Sequence, residues 1–202
     1  GLVDDPHVSQ YRLTAHLMLA VFIYYWLLTL AFRLIWSGAS IPLFLRLQDR
    51  LSQWGIALTV LIFAMIGTGG FMAGTRAGFI YNTWPKMGDS WAPEQIWAMV
   101  PWWRNLTENP MGIQFVHRWL AVLVLLAVIS YALWIIRRVP LRETKVLAWL
   151  LVGMVLGQVT LGISTLIQGV PPAYGVAHQG GALLLLGLVV SLRERFRRGE
   201  VN

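Results

Sequence analysis

From Val146 to Leu192 the chain carries no Asp, Glu, Lys or Arg. No soluble fold readily accommodates a run of that length, and one bilayer-spanning helix needs only about 20 apolar residues. Gly169-Val170-Pro171-Pro172 divides the run, because proline lacks the amide N–H and clashes with the preceding turn. Two spans result, near 146–168 and 173–192. Three more uncharged stretches have spanning length: 13–32, 51–75, and 119–136 with its uncharged extension 111–117. The expected fold class is an all-α polytopic membrane protein with five transmembrane helices, the last four forming a four-helix bundle.

Composition agrees. Only 12% of the 202 residues are charged and 57% are hydrophobic, against about 25% charged in soluble domains. The net charge of +7 sits in short clusters between apolar runs. That layout belongs to membrane boundaries, not to nucleic-acid binding, so no nucleic-acid partner is expected. Cysteine is absent, which excludes disulfides, thiolate metal sites and a cysteine nucleophile.

Arg33, Arg46, Arg50, Arg137, Arg138, Arg142, Lys145, Arg193, Arg195, Arg197 and Arg198 collect on one side. Arg12, Arg76, Lys86, Arg104 and Arg118 lie on the other. The richer side is expected to be cytoplasmic, with the C-terminus inside. The segments read as an outer lead and first helix (1–36), a cytoplasmic linker (37–52), a bundle (53–192) with an outer loop (76–112), and a basic tail (193–202). The loop holds Trp84, Trp91, Trp97, Trp102 and Trp103. It reads as an interfacial aromatic anchor or a lid over a buried site, with a short helix near 93–100. The acidic lead and the first residue, Gly1, suggest that an N-terminal portion precedes this sequence.

The helices repeat in pairs. His16, His117 and His178 each follow the outer start of an odd-numbered helix by five to seven residues. At 1.5 Å rise per residue they share one depth, roughly 8–11 Å in. The even helices carry Gly67-Thr-Gly-Gly70 and Gly157-Gln-Val-Thr-Leu-Gly162. A single membrane histidine can simply bond a neighbouring helix. Three at one depth, in spans without acidic residues, point to ligation. Zinc normally recruits three or four ligands with carboxylate or thiolate help, whereas haem needs two imidazoles and a flat apolar slot. Gly67, Gly69, Gly70, Gly157, Gly162, Gly180 and Gly181 are slot candidates or close-packing positions. His117 pairs with His178 across one return helix, leaving His16 unpaired and implying a fourth ligand elsewhere. Arg12, Arg76, Lys86, Arg104 and Arg118 are candidate propionate partners or snorkelling rim cations. Gln114, Gln158, Thr160 and Gln179 are candidates for orienting the imidazoles. His7 lies in the polar lead and is expected to be solvated.

Tyr81-Asn-Thr-Trp-Pro-Lys-Met-Gly-Asp-Ser-Trp91, Gln114-Phe-Val-His117-Arg118, Gly157-Gln-Val-Thr-Leu-Gly-Ile-Ser-Thr165 and Ala177-His178-Gln-Gly180 resemble, in order and spacing, the haem A synthase family. Val8-Ser-Gln-Tyr-Arg-Leu-Thr-Ala-His16 resembles the start of that family's fourth helix. The lack of cysteine pairs in loop 76–112 is similar to the mitochondrial and alphaproteobacterial branch. The resemblance implies an eight-helix enzyme in two four-helix halves, oxidising a ring methyl of haem O to a formyl group to make haem A for terminal oxidases. It further implies haem b on His117 and His178, substrate haem on His16, and a catalytic glutamate upstream, so that these 202 residues alone would be inactive. Implied partners are haem O, the bilayer, haem O synthase, an electron-transfer protein and a second copy of the chain. The implied location is a bacterial cytoplasmic or mitochondrial inner membrane. The rival readings are a non-enzymatic b-type cytochrome exchanging electrons with quinone, and a transporter with histidine proton relays. The latter usually recruits acidic partners within its spans.

Overall fold

The computed structural model describes residues 9–37 and 45–197; His7 and the last five residues lie outside them. Among the described residues, five α-helices are long and apolar enough to cross a membrane. They are α1 (Gln10–Ile35), α2 (Leu45–Gly74), α3 (Pro110–Arg138), α4 (Arg142–Ile167) and α5 (Pro172–Arg195). All five expected spans are present, each longer than its uncharged run, because a helix continues past the hydrocarbon boundary until its capping signals stop it. Thus α2 begins at Leu45, inside the stretch expected as linker, and Leu51 at its second turn is fully buried. Likewise α5 passes the expected boundary at 192. Arg193, Glu194 and Arg195, the first residues of the expected basic tail, are buried at the end of α5.

Sequence signals set the helix ends. Pro110 opens α3, and the Asn109 side chain accepts a hydrogen bond from the Met111 amide, satisfying one of the free first-turn donors. Pro172 opens α5. The reversal between α4 and α5 places Gly169 at φ 75° and Val170 at φ 59°. The left-handed region is open to glycine but strained for a β-branched residue.

Helices α2, α3, α4 and α5 pack in a closed ring, and α1 lies in the groove between α2 and α5. The shared core includes Ile62, Val128, Leu151 and Val189. Close approach of α1 to α2 requires small residues. A Cβ on Gly70 would lie 2.8 Å from Thr14 Oγ1, and one on Gly74 would lie 2.6 Å from Gln10 Cα. These glycines, with Gly67 against Met18, serve helix packing rather than a ligand slot.

Between α2 and α3 the loop makes three short 3₁₀ turns: Ala77–Phe79, Glu94–Trp97 and Trp102–Leu106. The short helix expected near 93–100 is the second of these. Trp91, Trp97, Trp102 and Trp103 are exposed, as an interfacial belt requires. Buried Asn105 organises the loop, donating to the Met99 and Trp102 carbonyls and accepting from the Met99 amide.

The loop is also tied to α1. Tyr11 donates to Glu108 at 2.8 Å, and Arg104 donates twice to the same carboxylate. Hydrogen bonds from Arg104, then from Tyr11, hold the Glu108 carboxyl below its ordinary value of 4.5. A lowered folded-state pKa adds stability above the unfolded value, and that stability disappears as pH falls through the folded value. The tie is therefore expected to hold at neutral pH, weaken as pH drops below about 4.5, and vanish once Glu108 protonates. Amide exchange across 101–109 should rise on acidification in the parent. In Glu108→Gln it should already be high and should not change with pH.

Candidate functional site

A cavity of about 540 Å³ opens inside the ring of α2–α5, within the roughly 300–1,000 Å³ of sites that enclose organic ligands. Ile62, Met65 and Ile66 from α2, Ala121 and Val124 from α3, Val155 and Val159 from α4, and Ala182 and Leu185 from α5 make its walls apolar. Phe79, Trp84 and Val170 lie at the loop end. His117 from α3 and His178 from α5 both line it.

The two imidazoles sit in matching surroundings. His117 lies against Gly69 of α2, where a Cβ would be 3.6 Å from its Cε1. His178 lies over Gly162 of α4, where a Cβ would be only 2.8 Å from its Cε1. Each histidine thus abuts a glycine of the helix preceding it in the chain, as the repeat of helix pairs implies. The other expected slot glycines differ from these and from one another. A Cβ on Gly181 would collide with Gln158 Oε1, while nothing lies within 4 Å of such a position at Gly157 or Gly180.

Thr68, which the sequence reading passed over, touches His117. Its hydroxyl donates to the Met65 carbonyl at 2.8 Å and lies 2.8 Å from His117 Nδ1. The available signal was its place between Gly67 and Gly69, one residue from the position that faces the ring. The four polar candidates behave differently. Gln158 donates to the His178 backbone carbonyl at 2.7 Å, not to the ring. Gln114, fully buried, donates to the Tyr81 carbonyl. Gln179 lines the cavity. Thr160 is exposed and bonds back to Leu156 of its own helix.

The basic candidates also separate. Arg118 is buried, and its terminal nitrogens donate to the carbonyls of Tyr81, Thr83 and Lys86. With Asn82, which donates to the Gly78 and Leu166 carbonyls, it pins the 78–86 segment across the end of the cavity. Arg76 lines the cavity, is exposed, and makes no side-chain ion pair among the described residues. Arg12 and Lys86 are exposed and off the cavity, and Arg104 is taken up by Glu108. His16 is exposed on the outer face of α1, away from the cavity. Its neighbours Thr14 and Met18 touch Gly70 and Gly67, which puts it at the level of His117.

Buried polar atoms without partners concentrate here. Of seven buried, unbonded side-chain atoms among the described residues, four, Gln114 Oε1, Arg118 Nε, Gln158 Oε1 and His178 Nδ1, belong to residues that line the cavity; the others, Thr14 Oγ1, Thr29 Oγ1 and Trp36 Nε1, lie on α1 or at its end. Native interiors leave few such atoms unpaired, so a cluster of them calls for an explanation such as a bound group. No three His, Cys, Asp or Glu side chains converge among the described residues. The donor set therefore suits a group that brings most of its own ligands.

The profile of the COX15-CtaA family, described as cytochrome oxidase assembly protein, matches residues 1–190. The chain is 42% identical over 200 residues to the heme A synthase of Nitrosospira multiformis, covering 98% of this chain and 55% of that protein. It is 42% identical over 190 residues to that of Rhodospirillum centenum, covering 94% and 50%. It is 39% identical over 196 residues to human heme A synthase COX15, covering 96% and 47%. The chain thus spans about half the length of the curated relatives it matches. No solved structure matches it. With ordered motifs from end to end and a profile match over nearly its whole length, the chain belongs to the COX15-CtaA family of cytochrome oxidase assembly proteins.

Proposed function

We propose that this chain holds a haem b between His117 and His178, as the second half of a haem A synthase that oxidises a ring methyl of haem O to a formyl group. The observation that carries the reading is the juxtaposition of two imidazoles, each against a glycine, on one apolar cavity. The fit is supported by the unpaired polar atoms around that cavity and by a donor set of two neutral nitrogens without carboxylates. When bound, haem supplies one-electron redox chemistry.

The chain's own residues bind, orient and exclude water. His117 and His178 would hold the haem iron, and Gly69 and Gly162 leave room for their rings beside the neighbouring helices. Phe79 and Trp84 close the loop end. Arg76, with no ion pair among the described residues, would be the first propionate partner; Arg118 has only Nε left and chiefly holds the loop. His16 faces away from this cavity and is the proposed ligand of the substrate haem, with Arg12 one turn before it. The relatives are about twice this length, and we assign the rest of the substrate site to the portion that this chain does not cover. The 202 residues alone are accordingly inactive in this reading. The proposed setting is a bacterial cytoplasmic or mitochondrial inner membrane, with the C-terminus on the cytoplasmic or matrix side. The proposed partners are haem O synthase, an electron-transfer protein and a second copy of the chain.

The test is the visible spectrum of the purified chain supplied with haem. A low-spin bis-imidazole spectrum is expected; a longer protein containing this chain that also binds no haem would overturn the proposal. Glycine geometry sharpens it. Gly162→Ala forces the His178 ring aside and should lower haem affinity at least about tenfold. Gly69→Ala adds only an ordinary contact to His117 and should leave affinity nearly unchanged. Titration of both variants with haem measures the difference.

A further inference from the structure

We infer that Thr68 is a positioning residue for His117: its hydroxyl accepts the Nδ1 proton of the imidazole and so leaves Nε2 as the nitrogen with a free lone pair. The assignment follows from counting protons. The Thr68 hydroxyl has one, and it is directed at the Met65 carbonyl at 2.8 Å, which can only accept. The 2.8 Å contact between Thr68 Oγ1 and His117 Nδ1 then has to be bridged by the ring's proton. A neutral imidazole has a single N–H, so Nε2 is bare and competent to bind a metal. The reverse arrangement, with Thr68 donating to Nδ1, would protonate Nε2 and disable it as a ligand.

The relay from ring to hydroxyl to helix carbonyl also polarises the imidazole, since chained hydrogen bonds strengthen one another. A more basic imidazole donates more electron density to a metal. His178 has no such hydroxyl: among the described residues its buried Nδ1 makes no hydrogen bond of normal geometry, and the Gln158 side chain bonds the His178 backbone carbonyl instead. The two ring sites are therefore unequal, with His117 the oriented one.

The consequence for affinity and potential rests on the haem reading; the tautomer does not. The experiment uses ¹⁵N-histidine-labelled chain in detergent, without haem and then with haem b added, for the parent, Thr68→Val and Thr68→Ser. In the haem-free parent and Thr68→Ser, NMR should show His117 with Nδ1 protonated and Nε2 bare; Thr68→Val should lose that preference. Haem affinity should fall about tenfold in Thr68→Val and recover in Thr68→Ser. The midpoint potential should rise in the valine variant alone, because the polarised imidazole favours ferric iron. A parent with Nε2 protonated overturns the inference, as does a folded Thr68→Val that matches the parent in tautomer and potential. If Thr68→Val does not fold, the parent and serine tautomers still decide. A parent with the expected tautomer that binds no haem would sink the haem reading while leaving the role of Thr68 in place.

Discussion

His117→Ala and His178→Ala are each expected to abolish the bis-imidazole haem spectrum proposed for the purified chain, and His16→Ala to leave it unchanged. Both cavity histidines project into the same apolar space from helices separated by one return helix. In the proposed site, removing either would leave the haem iron with one protein ligand, and the residues lining the cavity include no carboxylate or thiolate to replace it. The loss should exceed the roughly 10–100-fold that follows removal of a ligand's outer hydrogen-bond partner. His16 sits at a similar level but on the exposed face of α1, so its imidazole cannot substitute. A spectrum retained in both cavity variants would refute the assignment. A spectrum lost only in His16→Ala would move the site to the outer face of α1.

The second large effect lies at the opposite end of the bundle. Glu194→Ala is expected to destabilise the fold by about 3–5 kcal/mol, the usual cost of leaving a buried charge unpaired. The Glu194 side chain is 1% exposed. It accepts two hydrogen bonds from Arg193 through one oxygen, and one from Arg33 of α1 at 3.2 Å through the other. Arg193 cannot retreat to water. Its guanidinium donates to Tyr25 at 2.6 Å, and its stem lies 2.8 Å from the Cβ position of Gly55 on α2. Removing the carboxylate therefore leaves a cation among α1, α2 and α5. By contrast Glu143, 79% exposed in its pair with Arg195, should cost no more than about 1 kcal/mol on replacement by alanine. Reversible unfolding in mixed micelles, followed by helical circular dichroism, compares the two. Equal small losses would mean that the Arg193–Glu194–Arg33 cluster is solvated rather than buried.

The chain's spans were legible because lipid imposes a length rule that charge obeys. Residues 13–32 became α1 at Gln10–Ile35, and the break at 169–172 falls between α4 and α5. The two cavity histidines were legible for a related reason. An ionisable group is costly in a span, so each one present is informative. What the residues could not disclose is the rotation of each helix about its axis. In a soluble helix the apolar stripe marks the core face; a helix that is apolar all round has no such stripe. Tertiary packing alone turned His16 outward and Thr68 toward His117, and directed Gly67 and Gly70 to α1 but Gly69 to the cavity. Arg118 looked like an anion partner until its donors were found on the carbonyls of Tyr81, Thr83 and Lys86. Arg193 and Glu194 fell within the expected basic tail. Three helices meeting at that end supply enough partners to bury them. Span length and histidine depth are properties of one helix in a bilayer. Helix facing and hydrogen-bond partnership depend on its neighbours, and only the packed bundle decides them.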